Sequence, residues 1–81
     1  MKLSDFNLLD EIRQAEALLN HGVLIAERLY KDFNIFLYQV NHFYVEVYFH
    51  NGFKMIQGFR GFESVNALEP YLDEIRIPEF S

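Results

Sequence analysis

The chain has 81 residues, of which 51% are apolar and 17% aromatic, and it contains no cysteine. A single domain of this size buries only roughly 60–65% of its unfolded surface, and without cysteine neither disulfides nor a thiolate metal site can reinforce the small core. The net charge of −5 opposes approach to a polyanion, which argues against nucleic acid as a partner. We expect one small domain over residues 1–81.

The N-terminal sequence does not resemble a targeting segment. Asp5, Asp10 and Glu11 fall where a secretory signal needs an unbroken apolar stretch. No uncharged run approaches the ~20 residues of a membrane-spanning helix. We therefore expect a soluble, cytoplasmic protein that does not associate with a membrane.

Residues 5–20 show the spacing of an amphipathic helix. Its apolar stripe consists of Leu8, Ile12, Ala15 and Leu19. Ser4 or Asp5 can cap the first turn, and Gly22 in a left-handed conformation can end the helix. The pattern predicts one helix whose stripe packs on the rest of the domain.

Four segments rich in β-branched and aromatic residues follow from Val23 onward. They are separated by three polar pairs, which are Lys31-Asp32, Asn41-His42 and Asn51-Gly52. Asn-Gly is the strongest hairpin signal among them, because both residues tolerate the positive φ of a type I′ turn. The pattern predicts a four-stranded antiparallel meander.

Two-residue turns would assign side chains to the two faces of this sheet, because alternate residues of a strand point to opposite sides. The helix face, which we expect the helices to cover, is centred on Phe36, Val40, Phe43, Val45 and Val47. The outer face has a polar centre of Gln39, Glu46 and Gln57. That centre is ringed by Ile35, Leu37, Tyr44, Tyr48, Met55 and Phe59.

The faces of the first strand depend on the turn that follows it. A two-residue turn at Lys31-Asp32 places its odd-numbered residues on the helix face, and a turn longer by one residue reverses them. With the short turn, the residues on the helix face are Val23, Ile25, Glu27 and Leu29.

Helical spacing resumes after Gly61. The repeating apolar residues are Val65, Leu68, Leu72 and Ile75. Ser64 can cap this segment, and Pro70 should divide it into a short turn and a second helix beginning near Glu69. The predicted fold class is α+β, a two-layer α-β-β-β-β-α arrangement with a four-stranded antiparallel meander and the helices packed on one face.

The outer face is the predicted binding surface, because an apolar patch of this size is seldom left in water. Its residues are Ile35, Leu37, Tyr44, Glu46, Tyr48, Met55 and Phe59. We expect a non-enzymatic protein-interaction domain that forms a homodimer through this face or binds another protein, possibly a basic one. In the alternative packing, the terminal helical segments divide, one on each face, and cover both.

The alternative function is a small-molecule-binding protein or modest enzyme in which Glu46 acts as an acid in an aromatic pocket. Tyr44, Tyr48 and Met55 would form its walls. A charge that prevents indiscriminate pairing of the outer face is a simpler explanation of Glu46. No serine or threonine is placed for nucleophilic catalysis, so no catalytic residue is assigned.

The histidines do not predict a metal site. His42 and His50 lie at opposite ends of one predicted strand, roughly 26 Å apart at ~3.3 Å per residue. His21 is explained by a position at a helix C-terminus, where a positive charge is favourable. No metal or other cofactor is expected.

Overall fold

The structure, a computed structural model, describes residues 1–72. Its elements are α1 (Leu3–Asn7), α2 (Glu11–His21), β1 (Gly22–Tyr30), β2 (Phe33–Val40), β3 (Phe43–His50), β4 (Met55–Phe62) and a 3₁₀ helix (Val65–Tyr71). The four strands form one antiparallel sheet in the order β1-β2-β3-β4, which confirms the α+β fold and the meander. Within residues 1–72, no helix is long and apolar enough to cross a membrane.

The N-terminal helical segment is broken in two, whereas the sequence predicted one helix over residues 5–20. Asp10 takes an extended conformation, and its carboxylate accepts a hydrogen bond of 2.9 Å from the backbone N–H of Arg13. An aspartate in this position starts a new helix, because its side chain satisfies an amide that has no partner within the helix. The break leaves α2 free to adopt its own orientation on the sheet.

The orientation of α2 reverses the prediction for its apolar stripe. Ala17 and Leu18 are the buried side chains of α2, whereas Ile12 is 74% and Leu19 is 82% exposed. Phe6 of α1 fills the core in their place and packs against the rings of Phe43 and Phe59, at centroid distances of 5.8 and 6.3 Å. The prediction was therefore wrong for Leu8, Ile12 and Leu19 of the stripe, which are exposed, while Ala15 is half-buried.

Gly22 has a different role from the one predicted. Its φ of −93° is extended rather than left-handed, and Gly22 is the first residue of β1. A Cβ at this position would lie 2.7 Å from the carbonyl oxygen of Leu18, so the close approach of the helix requires glycine. Helix α2 thus passes into β1 with no intervening residue.

The first two turns have two residues each, as predicted, with Lys31 at φ 54° and Asn41 at φ 53°. The β2–β3 register is the predicted one and runs from Phe33 opposite His50 to Val40 opposite Phe43.

The short first turn places Glu27 and Leu29 of β1 on the helix face, as expected. A β-bulge between Leu24 and Ala26 reverses the preceding residues, so the helix-face prediction was wrong for Ile25 and Val23. Ile25 packs against the apolar cluster of the outer face, and Val23 lies opposite Gln39 of that face.

The turn between β3 and β4 is longer than predicted. It comprises residues 51–54, with Lys54 at φ 56°, and the Lys54 N–H donates to the His50 carbonyl at 2.8 Å. The ring of Phe53 stacks on His50 at 4.4 Å, which holds this turn in place. Gly52 does not adopt positive φ, so the predicted two-residue Asn-Gly turn was wrong.

This longer turn changes the β3–β4 register. Arg60 rather than Gln57 lies opposite Glu46, and Gly58 lies opposite Tyr48. Phe59 lies opposite Val47 and packs against the helix-face cluster, so its predicted place on the outer face was wrong.

Both faces of the sheet carry an apolar cluster. The helix-face cluster consists of Phe6, Ala17, Leu18, Val40, Phe43, Val45 and Val47. The outer-face cluster consists of Ile35, Leu37, Phe62, Leu68 and Tyr71.

The 3₁₀ helix covers the outer face, where it buries Leu68 and Tyr71. Ser64 caps it as predicted, since its Oγ accepts a hydrogen bond of 3.2 Å from the Asn66 N–H. The placement of both helical segments on one face was therefore wrong for Val65–Tyr71, and the alternative of one segment per face describes residues 1–72. The α helices already occupy the helix face, which leaves the outer face for this segment. The predicted continuation of a helix to Ile75 lies outside the described residues.

Candidate functional site

The outer face has a carboxyl group at its centre. Glu46 stands in the middle of β3 and is only 1% exposed. Four donor side chains from four different elements surround it, and together with Glu46 they form the Glu46 cluster. They are Arg28 of β1, Tyr48 of β3, Arg60 of β4 and Tyr71 of the 3₁₀ helix.

Each carboxylate oxygen of Glu46 accepts hydrogen bonds from two donors. Oε1 accepts from Arg60 Nη1 at 3.1 Å and from the Tyr48 hydroxyl at 3.2 Å. Oε2 accepts from the Tyr71 hydroxyl at 2.5 Å and from Arg28 Nη2 at 3.4 Å. A buried carboxylate is tolerated when it is paired and hydrogen-bonded in this way, so the cluster compensates the burial of Glu46.

Strand register explains how these side chains meet. Arg60 is the direct cross-strand neighbour of Glu46, and Tyr48 lies two residues along the same strand on the same face. The two-residue turn before β2 puts Arg28 opposite Ile35, on the outer face, from which its long side chain reaches diagonally to Glu46. Pairing across all four strands therefore brings together every member of the cluster except Tyr71, which the 3₁₀ helix supplies.

The environment favours the protonated forms of Tyr71, Arg60 and Arg28. Burial raises the pKa of Tyr71, and its hydrogen bond to Glu46 raises it further. The neighbouring Tyr48 hydroxyl and the charge of Glu46 hold the pKa of Arg60 above its ordinary value. Burial lowers the pKa of Arg28, but the contacts with Tyr71 and Glu46 outweigh this effect and the net shift is upward. The cluster thus combines two guanidinium groups with one carboxyl group.

Arg28 is held by aromatic rings as much as by hydrogen bonds. Its guanidinium carbon lies 5.2 Å from the ring centre of Tyr71 and 5.7 Å from that of Tyr30. Within residues 1–72, its buried Nε has no hydrogen-bond partner. Stacking of a guanidinium on an aromatic face contributes on the order of 0.5–2 kcal/mol, which supports Arg28 where hydrogen bonds do not.

This geometry suits a structural role for Glu46. A general acid must come within hydrogen-bond reach of the group that it protonates, in a pocket that admits the substrate. Four donors already occupy both oxygens of Glu46, and Tyr71 shields them from solvent. The cluster therefore ties β1, β3, β4 and the 3₁₀ helix together instead of presenting a reactive group.

The structure separates the residues of the predicted binding surface. Ile35, Leu37 and Glu46 are buried beneath the 3₁₀ helix, so the centre of the predicted surface is covered. Tyr44 and Tyr48 are half-buried, where Tyr44 stacks on Phe62 at 5.5 Å and Tyr48 meets Phe33 edge-on at 6.0 Å. Met55 is exposed, and Phe59 lies on the other side of the sheet.

Sequence reasoning missed Arg28, Arg60 and Tyr71 as partners of Glu46. A signal was present, because a lone carboxylate within an apolar strand must be neutralised if it is buried. Arg60 lies on the adjacent strand β4 and Arg28 lies on β1, beyond β2, but the wrong β3–β4 register placed Arg60 on the helix face. Tyr71 could be found only by knowing which face the segment after β4 covers.

A second feature is a group of exposed apolar side chains on α2, on β1 and in the turn between α1 and α2. We call it the α2–β1 surface, and its members are Leu8, Ile12, Leu19, Val23, Leu24, Leu29 and Tyr30. Leu29 is 74% exposed, close to the values of Ile12 and Leu19. On β1, Leu24 and Leu29 lie on the helix face, whereas Val23 and Tyr30 lie on the outer face. Helix α2 continues directly into this strand.

Metal ligands are not gathered in the part of the chain that the structure describes. No group of three or more His, Asp or Glu side chains in residues 1–72 could hold an ion. The α2–β1 surface and the Glu46 cluster are accordingly the two features on which a functional interpretation can rest. Comparison of the chain with protein-family models, with curated proteins and with solved structures finds no match in any of the three.

Proposed function

We propose that this protein is a non-enzymatic protein-interaction domain that uses the α2–β1 surface. The observation that carries the proposal is the exposure of large aliphatic side chains on this surface, above all Ile12, Leu19 and Leu29. Soluble proteins seldom leave apolar patches of more than a few hundred Å² in water unless another molecule covers them. Burial of such side chains in a complex removes apolar area from water, which favours association.

The proposal keeps the class of function expected from the sequence and moves the contact surface. The outer face is less suited to a homodimer than expected, since the 3₁₀ helix already covers Ile35 and Leu37. The alternative of an enzyme with Glu46 as its acid has lost its geometric support, because the carboxylate is enclosed by its own donors.

The test compares two pairs of substitutions to glutamine. Ile12→Gln with Leu19→Gln changes the α2–β1 surface, and Val65→Gln with Leu72→Gln changes two exposed aliphatic side chains elsewhere. All four side chains are exposed, so both variants should fold like the parent, and circular dichroism checks this.

Association is measured by sedimentation velocity of the purified chain and by pull-down with the tagged chain from the source cell. We expect a stoichiometric complex, with a second copy or with another protein, that the control pair retains and the α2 pair loses. A parent chain that forms no complex in either assay, or a complex that both variants retain equally, would refute the proposed function.

A further inference from the structure

We infer that the partner at the α2–β1 surface is a second copy of this chain, which pairs with the first along β1 in an antiparallel arrangement. This inference rests on the proposed function and names the occupant of the same surface. The pairing joins two four-stranded sheets into one sheet of eight strands, with the two β1 strands side by side at its centre.

The two edges of the sheet differ in a way that favours β1. Every edge strand leaves alternate N–H and C=O groups without a strand partner, which is a template for further pairing. At β4, helix α1 packs closely over the backbone, and Leu3 occupies the space that a side chain at Gly61 would need. At β1, the exposed side chains of Val23, Leu24 and Leu29 flank the edge. The edge strand β4 also exposes Met55 and Ile56, but only at its first two residues, whereas β1 exposes apolar side chains towards both of its ends and is the longer strand.

A two-fold axis perpendicular to the sheet makes this contact self-complementary. Such an axis reverses the strand direction and keeps the helix faces of both copies on the same side. Leu24 and Leu29 lie on the helix face, because they stand opposite Tyr38 and Asn34. Leu19 lies three residues before Gly22, at the end of α2 that leads into β1. The pairing therefore brings Leu24 and Leu29 of both copies to one continuous helix face, where each lies next to the edge strand of the other copy.

The β-bulge and the charges of β1 select the register. A pairing centred on Glu27 or on Arg28 would set like charges directly opposite each other, which is unfavourable. A pairing centred between Ile25 and Ala26 sets Glu27 opposite Leu24 of the second copy. It matches both faces across the bulge, because Glu27 and Leu24 lie on the helix face whereas Arg28 and Val23 lie on the outer face.

Net charge distinguishes a second copy from a basic partner. Each copy carries −5, so two copies repel each other and salt should strengthen their association by screening this repulsion. A basic partner would be attracted by the same charge, and salt would weaken that complex. The sign of the salt effect therefore identifies the occupant.

The first experiment measures the dimerisation constant of the parent by sedimentation equilibrium, at about 0.1 M and about 1 M salt, where the Debye length falls from about 10 Å to about 3 Å. We expect a dimer that tightens with salt. Leu24→Lys should weaken it at least tenfold, because a lysine on the edge strand opposes pairing. Val65→Lys, the matched change of an exposed aliphatic residue on the 3₁₀ helix, should leave the dissociation constant unchanged.

The second experiment tests the register and uses the absence of cysteine from the chain. A Leu24→Cys chain mixed with a Glu27→Cys chain should form an intermolecular disulfide, since directly opposed residues bring their Cβ atoms within about 5.5 Å. A Leu24→Cys chain mixed with a Leu29→Cys chain should cross-link much more slowly. Equal rates in the two mixtures would overturn the inferred pairing.

The outcomes separate the inference from the proposed function. A monomeric parent, or a dimer that Leu24→Lys does not weaken, overturns pairing through β1. If the same monomeric parent binds another protein and loses it with Ile12→Gln and Leu19→Gln, the proposed function stands without self-association. If neither Leu24→Lys nor the Ile12→Gln and Leu19→Gln pair weakens any complex, then pairing through β1 and the proposed function are both refuted.

Discussion

The buried cluster on the helix face of the sheet consists of apolar side chains, whereas the outer face encloses a carboxyl group with two guanidinium groups and two phenols. Helices α1 and α2 cover the first, and one short 3₁₀ helix covers the second. Both faces exclude water, but they do so with different chemistry.

The difference shows two ways in which a small domain can specify its packing. Apolar contacts depend on volume and shape and are otherwise non-directional, so several arrangements of α2 on the helix face would bury similar area. Hydrogen bonds to Glu46 require particular donors at particular positions. Displacing Arg60 or Tyr71 from Glu46 would leave a buried charge with fewer partners, so the Glu46 cluster favours one register of β4 and one placement of the 3₁₀ helix.

Removal of the carboxyl group should have the largest effect. We expect Glu46→Ala to lower the free energy of unfolding by about 3–5 kcal/mol, because it leaves the largely buried Arg28 without its charge partner. Urea unfolding followed by circular dichroism measures the loss. Glu27→Ala is the matched control, since Glu27 is exposed and accepts a hydrogen bond from the Asn34 amide at the surface, and its effect should stay within about 0.5 kcal/mol. Similar losses for both variants would contradict the structural role of the cluster.

Removal of one hydroxyl should have an intermediate effect. Tyr71→Phe deletes the donor to Glu46 Oε2 and keeps the buried ring, so we expect a loss of about 1.5–3 kcal/mol in the free energy of unfolding. Tyr30→Phe changes an exposed tyrosine and serves as the control.

The same hydroxyl should be coupled to Glu46 in a double-mutant cycle. Once Glu46 is alanine, Tyr71→Phe should cost less by about 0.5–3 kcal/mol, because the two residues act through one contact. Additive losses would show that the hydroxyl does not stabilise the fold through Glu46.

Substitutions that conserve shape should separate the two faces. Leu18→Met on the helix face keeps volume and should cost less than about 1.5 kcal/mol in the free energy of unfolding. Glu46→Gln on the outer face also keeps shape, but its amide group meets hydrogen-bond donors, so we expect it to cost more than Leu18→Met by about 1 kcal/mol. Chemical unfolding under identical conditions makes the comparison. An equal cost would mean that the outer face, like the helix face, depends on shape alone.

Alkaline pH should weaken the outer face through Tyr71. The pKa of Tyr71 is raised in the folded state, so above pH ~10 the unfolded chain loses the phenol proton while the folded chain retains it. The stabilising contribution is complete below that pH and should fall by about 1 kcal/mol over the next pH unit.

Urea midpoints of the parent and Tyr71→Phe on either side of pH ~10 test this expectation. The variant should lose less stability than the parent over this interval, and Tyr30→Phe should follow the parent. A parallel decline of parent and Tyr71→Phe would assign the alkaline loss to other groups.

The sequence allowed the meander and the central β2–β3 register to be predicted, because both depend on local signals. Alternating strand residues and the short Asn41-His42 turn determine which residues of β2 and β3 face each other. The β3–β4 register did not follow from its local signal. Asn51-Gly52 favours a two-residue turn, but contacts of Phe53 with His50 stabilise a four-residue turn in which Lys54 adopts positive φ.

The candidate site was predictable only in part, because it depends on contacts between residues that are distant in the sequence. Glu46 could be recognised as the unusual residue of the central strands, whereas three of its four donors come from positions 14, 18 and 25 residues away in the chain. The sequence also could not show which side of α2 is buried. The helix carries apolar residues on two adjoining sides, and the break at Asp10 decides which of them packs on the sheet.

The direct passage from α2 into β1 at Gly22 has a mechanical consequence. Because no loop separates them, a tilt of the helix axis must also twist the first residues of the strand. A force that acts on β1 is likewise transmitted directly to α2. A molecule that binds the β1 edge of the sheet therefore also restrains the helix. Amide hydrogen exchange in α2 should slow even when the bound molecule contacts only β1.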